Sequence, residues 1–281
     1  MTKSCSSNGH AYSVVGQSPP PNHLSDLAQN ALARLCADMR HKPTPAQTAH
    51  ATLGDPCVAA MAYALCDPDD ASFSILVSEL LDAGLSVEEL YLGHLAPAAR
   101  RLGEMWDRDR LPFSEVTLAT ARIQAKMRRM PAVRIAPYCG SGKGAVFAAV
   151  PGEEHTIGVM MAADLFRRSG WDVDLLIGLS HDELVTRISR DDRPVIGLSC
   201  SGDHSYPALC RLLLALKHTR PDATVLLSGQ LADDPERVAN LPASVTVVSD
   251  IAAAEAEMIK IEAPLAAARQ DQLQRWSGSA A

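Results

Sequence analysis

Aromatic residues are scarce in this chain of 281 residues, where Phe, Trp and Tyr together make up 4%. So few rings argue against a surface that stacks bases or sugars. Basic charge is also short, because 26 Lys and Arg face 33 Asp and Glu and leave a formal charge of -7. We therefore do not expect a protein held on DNA mainly by its own electrostatic field.

Long apolar runs and paired cysteines are missing as well. No stretch reaches the roughly 20 apolar residues that a membrane helix needs, and the N-terminus lacks the apolar segment of a secretory signal. The seven cysteines are irregularly spaced, and none forms a C-x-x-C pair. This argues against a disulfide framework and a zinc site. We expect a cytoplasmic protein with reduced thiols and no membrane contact.

The chain divides into halves of different periodicity. Residues 1–22 carry one charge and five serines and are predicted to be a mobile tail. Residues 23–130 have apolar residues at helical spacing, with a kink expected at Pro97, and predict a helical bundle. Residues 131–143 contain Pro, Gly and Ser and are interpreted as a linker, and residues 267–281 as a second tail.

Short apolar strands alternate with helices over residues 144–266. The strands are expected at Ala145–Val150, Asp174–Ile177, Val195–Leu198, Thr224–Leu227 and Val245–Val248. Such strands indicate a parallel sheet covered by helices on both faces, which is a doubly wound α/β domain. Ligands of that fold bind beyond the carboxyl ends of the strands, at the switch point.

A histidine in the loop after the first strand is a candidate for chemistry. Glu153 stands two residues before His155, and Thr156 and Gly158 follow. A carboxylate at this spacing suits the partner that fixes the imidazole tautomer while the other ring nitrogen binds a metal. The alternative is an exposed or capping side chain, which is the commoner role of a lone histidine in such a loop.

Two blocks of small residues follow other predicted strands. Ser199 and Ser201 come after the third strand, and Ser228 and Gly229 come after the fourth. Serine and glycine at strand ends are also ordinary turn residues. Together with the histidine loop, however, they lie where one pocket can form, with room for a bulky group between strand and helix.

These three blocks resemble the signature of the cobalamin-binding domain, Asp/Glu-x-His-x-x-Gly, then Ser-x-Leu or Ser-x-Ser, then Gly-Gly. The resemblance implies that His155 is the lower axial ligand of cobalt in adenosylcobalamin or hydroxocobalamin. Glu153 would be its partner, and Gly158 would allow close approach, with Thr156 among the cofactor contacts. The slot for the displaced nucleotide tail would be lined by Ser199, Ser201, Ser228 and Gly229. Ser228 departs from the pattern, which usually has glycine there.

The helical half is similar to the four-helix cap of methionine synthase and of light-responsive cobalamin repressors. The matching stretches are Leu102–Trp106 and Ser114–Ala121. In the light-responsive relatives a tryptophan lies over the upper face of cobalamin, which implies that place for Trp106. Without the resemblance, Trp106 is most simply a core aromatic. Asp107 and Val116-Thr117 stand where those relatives carry a histidine and a Glu-His pair.

The whole arrangement resembles the AerR/PpaA antirepressors of purple photosynthetic bacteria, since no winged helix precedes the cap. It implies α/β plus all-α architecture, with an N-terminal four-helix-bundle cap and a C-terminal flavodoxin-like domain of five parallel strands. It also implies a light-responsive regulator, not an enzyme, that binds a CrtJ/PpsR-type repressor and contacts DNA only through it. A corrinoid methyl carrier and a heme-binding sensor are the alternatives.

Two further features are open to more than one interpretation. The basic stretch from Arg122 to Lys143 is by default a solvated helix end, whose cations suit the helix dipole, and alternatively a partner surface. His10 is a candidate upper ligand of cobalt once light has removed the upper group, because about twelve residues of tail can reach roughly 40 Å. Water is the alternative ligand.

Overall fold

The computed structural model describes residues 56–131, 133, 138 and 143–278, with side chains described as far as residue 268. His10, the predicted tail over residues 1–22 and the predicted helical residues up to 55 lie outside this range, so those predictions stay predictions. Among the helices that are described, none combines the length and the apolar character needed to cross a membrane.

From Pro56 onward, where the structure describes the chain, the cap contains four helical segments. They are α1 (Pro56–Cys66), α2 (Ala71–Asp82), α3 (Val87–Glu89) continued by a π turn (Leu90–Leu95) into α4 (Ala96–Asp107), and α5 (Phe113–Arg129). Ser86 opens α3 with a capping box, since its hydroxyl accepts the N–H of Glu89 and the Glu89 carboxylate accepts the N–H of Ser86. The bundle core includes Phe73, Leu90, Tyr91 and Ile123.

A π turn (Leu90–Leu95) directly precedes Pro97, the residue at which the sequence predicts a kink. The N–H of Ala96 bonds to the carbonyl of Tyr91, five residues earlier, and Pro97 lies in the first turn of α4. Proline has no N–H to donate, and its ring crowds the carbonyl four residues before it. The wider turn accommodates the ring without ending the helix, which continues to Asp107.

The second half is a five-stranded parallel sheet in the order β2-β1-β3-β4-β5. The strands β1 (Gly144–Ala149), β2 (Asp172–Leu176), β3 (Val195–Ser199), β4 (Thr224–Ser228) and β5 (Val245–Val247) begin and end within two residues of their predicted limits. The helices are α6 (Ile157–Arg168), α7 (His181–Ser189), α8 (Tyr206–Thr219), α9 (Pro235–Ala239) and α10 (Ile251–Gly278). α10 extends into residues 267–281, which the sequence assigned to a tail.

The strand order of the sheet reverses between β1 and β3. β2 lies on one side of β1, and β3 to β5 lie on the other. At such a point neighbouring loops diverge and leave a crevice beyond the carboxyl ends of the strands. The loop after β1 carries His155 and the loop after β3 carries Ser201, so the fold brings these two predicted blocks to one place.

Helix α6 belongs to two cores at once. Val159 and Phe166 on one side pack against the sheet, where Phe166 meets Phe147 edge to face at 5.3 Å between ring centroids. Met161 and Leu165 on the other side join the core of the cap. The helix that starts beside His155 is therefore enclosed between the cap and the sheet.

A polar contact fixes the cap on this helix. The buried hydroxyl of Tyr91, in the π turn, donates to the carboxylate of Asp164 at 2.8 Å. Asp164 also accepts from Nε of Arg168 at 2.9 Å, and Arg168 donates in turn to the carbonyl of Pro131 at 3.2 Å. Burial and the neighbouring carboxylate raise the pKa of Tyr91, so the phenol remains a donor.

Arg122 is not part of a solvated helix end. Its side chain is 9% exposed, and the guanidinium donates to the carbonyls of Leu65, Asp67 and Pro68 at 2.7, 2.5 and 3.2 Å. The Leu65 carbonyl lies in the last turn of α1, where a helix leaves its acceptors unpaired, and the other two lie in the loop that follows. The solvated interpretation holds for the exposed Arg128 and is wrong for Arg122.

We expect Arg122→Met to lower the free energy of unfolding by about 2–3 kcal/mol, because three carbonyls lose a charged donor. Urea denaturation followed by circular dichroism measures the loss. Arg128→Met is the matched control, since Arg128 is exposed on the same helix. Equal stability of the two variants would show that Arg122 does not hold the end of α1.

Candidate cofactor-binding site

His155 presents an imidazole to solvent in a single tautomer. Its side chain is 62% exposed in the loop between β1 and α6, and Nδ1 lies 2.8 Å from Oε1 of Glu153. A carboxylate only accepts hydrogen bonds, so Nδ1 carries a proton, and in the neutral ring the lone pair is on Nε2. This is the state in which an imidazole binds a metal through Nε2.

Glu153 is a buried carboxylate with both oxygens occupied. Oε1 accepts from the ring and from the backbone N–H of His155, at 2.8 Å in each case. Oε2 accepts from the backbone N–H groups of Ser201 at 2.7 Å and Gly202 at 3.1 Å. Burial raises the pKa of Glu153, but these hydrogen bonds outweigh it and lower the pKa from 4.5 to about 2. The group is an anion that joins the loops after β1 and β3.

The block after β3 acts mainly through its backbone. Ser199 is buried at the end of the strand, and its carbonyl accepts from Val150 at 3.1 Å. The N–H of Cys200 donates to the carbonyl of Ser228 at 3.0 Å. Burial and the charge of Glu153 raise the pKa of the Cys200 thiol to about 12, so the thiol stays protonated at neutral pH. Backbone hydrogen bonds therefore connect the end of β3 to Val150 after β1 and to Ser228 at the end of β4.

Gly229 is required by the fold itself. Its φ is 104°, and a Cβ there would stand 2.3 Å from the carbonyl oxygen of Cys200. Only glycine allows that close approach. Ser228, which pairs with Ser199 in the sheet register, is half-buried and has no such conformation. The block therefore needs glycine at its second position, and a hydroxymethyl group is accommodated at the first.

The surface beside His155 is open. Thr156 precedes α6 and makes no side-chain bond to the start of that helix. Gly158, in the first turn, is exposed, and a Cβ there would meet no atom within 4 Å. Packing within the described residues does not demand this glycine. It leaves room for a large flat group against the helix end.

The donor set fits cobalamin. Within the described residues, no group of three or more His, Cys, Asp or Glu side chains is placed to hold a metal ion. His155 offers a single nitrogen, which suffices only for a metal whose equatorial positions are filled by a ring of its own. The cobalt of cobalamin carries such a ring, and the open surface at Gly158 leaves space for it.

Trp106 is not a core residue. It lies at the end of α4 with 45% of its surface exposed, and its ring contacts Phe113, which is 66% exposed, at 6.0 Å between centroids. A cleft of about 400 Å³ beside them is also lined by Asp109, Arg110, Leu111 and Pro112. The two rings are available to a ligand or a partner. The sequence missed Phe113, because a phenylalanine after Pro112 signals only a helix start.

We expect Glu153→Gln to lower the free energy of unfolding by about 1–3 kcal/mol at neutral pH. The amide has one acceptor oxygen where the carboxylate has two, so one pair of N–H donors loses its partner. Chemical denaturation measures the change. Glu154→Gln, at the exposed neighbouring position, is the control and is expected to match the wild type.

The same variant tests the pKa of Glu153. Since the folded state lowers this pKa, the stabilisation is complete above the ordinary value of 4.5 and disappears as the pH falls toward about 2. Over that window the denaturation midpoint of the wild type should decline more steeply than that of Glu153→Gln. Parallel curves would show that the carboxylate is not held as an anion.

Known proteins share both halves of this chain. One B12 binding domain family matches residues 144–259, and a second B12 binding domain family matches residues 58–130. A Rhodobacter capsulatus protein, the uncharacterized 20.5 kDa protein in the bchF-crtJ intergenic region, is 32% identical over 126 residues. The alignment covers 43% of this chain and 66% of that protein.

A solved corrinoid protein shares this fold. The monomethylamine corrinoid protein of Methanosarcina barkeri superposes with a TM-score of 0.55 at 13% identity, over 70% of this chain and 95% of that one. A cobalamin-binding protein from Desulfitobacterium hafniense DCB-2 matches at a TM-score of 0.37 and 20% identity, over 72% and 97%. With the two family matches and the site around His155, this chain belongs to the cobalamin-binding proteins that join a helical cap to a B12 binding domain.

Proposed function

We propose that this cobalamin-binding protein is a light-responsive regulator of transcription, not an enzyme, and that it acts by binding a repressor of the CrtJ/PpsR type. The observation that carries the proposal is the R. capsulatus relative, whose name places it between bchF and crtJ. The resemblance to the AerR/PpaA antirepressors implies a CrtJ/PpsR-type repressor as the partner, and crtJ is one of the two genes in the name of this relative. The formal charge of -7 also favours a protein partner over direct DNA binding.

His155 would hold cobalt from below through Nε2. Glu153 supports this role, because it fixes the proton on Nδ1 and is itself held by two backbone donors of the neighbouring loop. When bound, adenosylcobalamin would supply a cobalt–carbon bond that light can break. Around it, the protein's part is to hold the ring and to cover the upper group.

The cap offers an apolar cover for that upper group. Trp106 and Phe113 are exposed and in contact with each other, so together they present two ring surfaces. Phe113 begins α5, and the same helix contributes Ile123 to the cap core, which also contains Met161 and Leu165 of α6. A change above the cobalt could therefore alter the cap surface that a repressor meets.

A corrinoid methyl carrier is the second candidate. The superposition on the monomethylamine corrinoid protein favours it, because the two chains share a fold. A carrier must present the upper face to the active site of a methyltransferase, whereas a sensor covers it. Light separates the two, since only the sensor should change its partner binding after illumination.

We expect His155→Ala to lose most cobalamin after gel filtration while keeping its fold, because the exposed side chain contributes little to packing. Absorption spectra of the eluted protein measure retention, and circular dichroism measures the fold. His218→Ala, exposed on α8, is the matched control. Full retention with an unchanged spectrum in His155→Ala would remove this residue from the cobalt.

For the output, we expect a pull-down with a CrtJ/PpsR-type repressor to depend on bound adenosylcobalamin and to change on illumination. The apoprotein is the control in each arm.

His10→Ala tests the tail, since a changed absorption spectrum of the illuminated variant would mark His10 as the upper ligand. Light-independent capture of a methyltransferase would support the carrier, and tight sequence-specific DNA binding by this protein alone would contradict the proposal.

A further inference from the structure

The loop after β3 is held from both sides. On the side of β1, the N–H groups of Ser201 and Gly202 donate to Glu153, and Nε2 of His204 lies 3.2 Å from the carbonyl oxygen of Gly152. On the side of β4, the N–H of Leu231 donates to the carbonyl of Cys200 at 3.2 Å. The conformation of this loop therefore depends on two neighbours.

Arg237 adds a side-chain tie on the β4 side. Its Nη1 lies 2.7 Å from Asp203 in the β3 loop, and its Nε lies 3.1 Å from Asp234 at the start of α9. The guanidinium carbon stands 5.4 Å from the ring centroid of Tyr206. Asp234 is fixed in turn, because it accepts the N–H groups of Glu236 and Arg237. Arg237 therefore fastens the β3 loop to a capped helix.

This arrangement differs from an ordinary surface ion pair. The Arg237 side chain is only 29% exposed, although Asp203 is 88% exposed. A lone exposed pair contributes little to stability. Here the planar guanidinium is divided between two carboxylates and lies over Tyr206, so three contacts define one orientation.

The ion pair between Arg237 and Asp203 is next in the chain to the backbone N–H donors that hold Glu153. Asp203 directly follows Gly202, and the N–H of Ser205 bonds back to the carbonyl of Gly202 at 3.0 Å in a tight 3₁₀ turn. A displacement of Asp203 therefore turns the Gly202 peptide. That peptide and its neighbour supply both hydrogen bonds to Oε2 of Glu153.

We propose that Arg237 is a positioning residue of the cobalamin site. It holds Asp203, and through the backbone donors at Ser201 and Gly202 it orients Glu153 and the His155 ring. The inference rests on the proposed coordination of cobalt by His155. Sequence patterns give no sign of it, since Arg237 lies 82 positions from His155 and outside all three blocks.

Arg237→Met tests the tie in the full-length protein. Without cobalamin, the amides of Ser201 and Gly202 should exchange hydrogen about tenfold faster, because the loop opens more often. Affinity for hydroxocobalamin, titrated by absorbance, should fall about tenfold, equivalent to about 1.4 kcal/mol. The bound spectrum should shift toward that of free hydroxocobalamin. Arg187→Met removes a more exposed ion pair, the one with Asp174, and should change none of these readouts.

Asp203→Asn is the second variant, since it keeps Arg237 and lies on the surface. It should reproduce the effects of Arg237→Met, and the double variant should add no further loss. Unchanged exchange and affinity in both single variants would overturn the inference, as would faster exchange with an unchanged bound spectrum. A wild-type spectrum without histidine coordination would instead refute the lower-ligand proposal, and the exchange data would still report on the loop.

Discussion

The buried carboxylate of Glu153 is the interaction on which the site depends. It accepts four hydrogen bonds, two from His155 and two from the loop after β3. It therefore joins the loops after β1 and β3, between which the strand order reverses. A buried charge is stable only when its lone pairs are filled. The folds of both loops and the tautomer of the histidine are therefore parts of one arrangement.

Two of the hydrogen bonds to Glu153 come from backbone groups, and this explains why the serine motif after β3 varies. The donors at positions 201 and 202 are peptide N–H groups, which any residue except proline supplies. A pattern that allows Ser-x-Ser or Ser-x-Leu is understandable when the third residue contributes its backbone to the carboxylate. Gly229 is different, because the Cys200 carbonyl leaves no space for a side chain.

The sequence predicted those features that rest on local patterns. Apolar runs located the five strands, and the residues around His155 predicted its pairing with Glu153. Contacts between residues far apart in the chain left no such pattern. Arg122, which binds the end of α1, and Arg237, which binds Asp203, are examples. The sequence alone suggests an ordinary surface cation at each position, because the partners are brought close only by the fold. The exposure of Trp106 likewise depended on packing that periodicity does not report.

The shared helix α6 has a consequence for cooperativity. Val159 and Phe166 belong to the core of the sheet, and Met161 and Leu165 belong to the core of the cap. If either half melted alone, one side of α6 would be exposed to water while the other stayed packed, at a cost in buried apolar area. The two halves are therefore coupled thermodynamically, and α6 joins them into one cooperative unit.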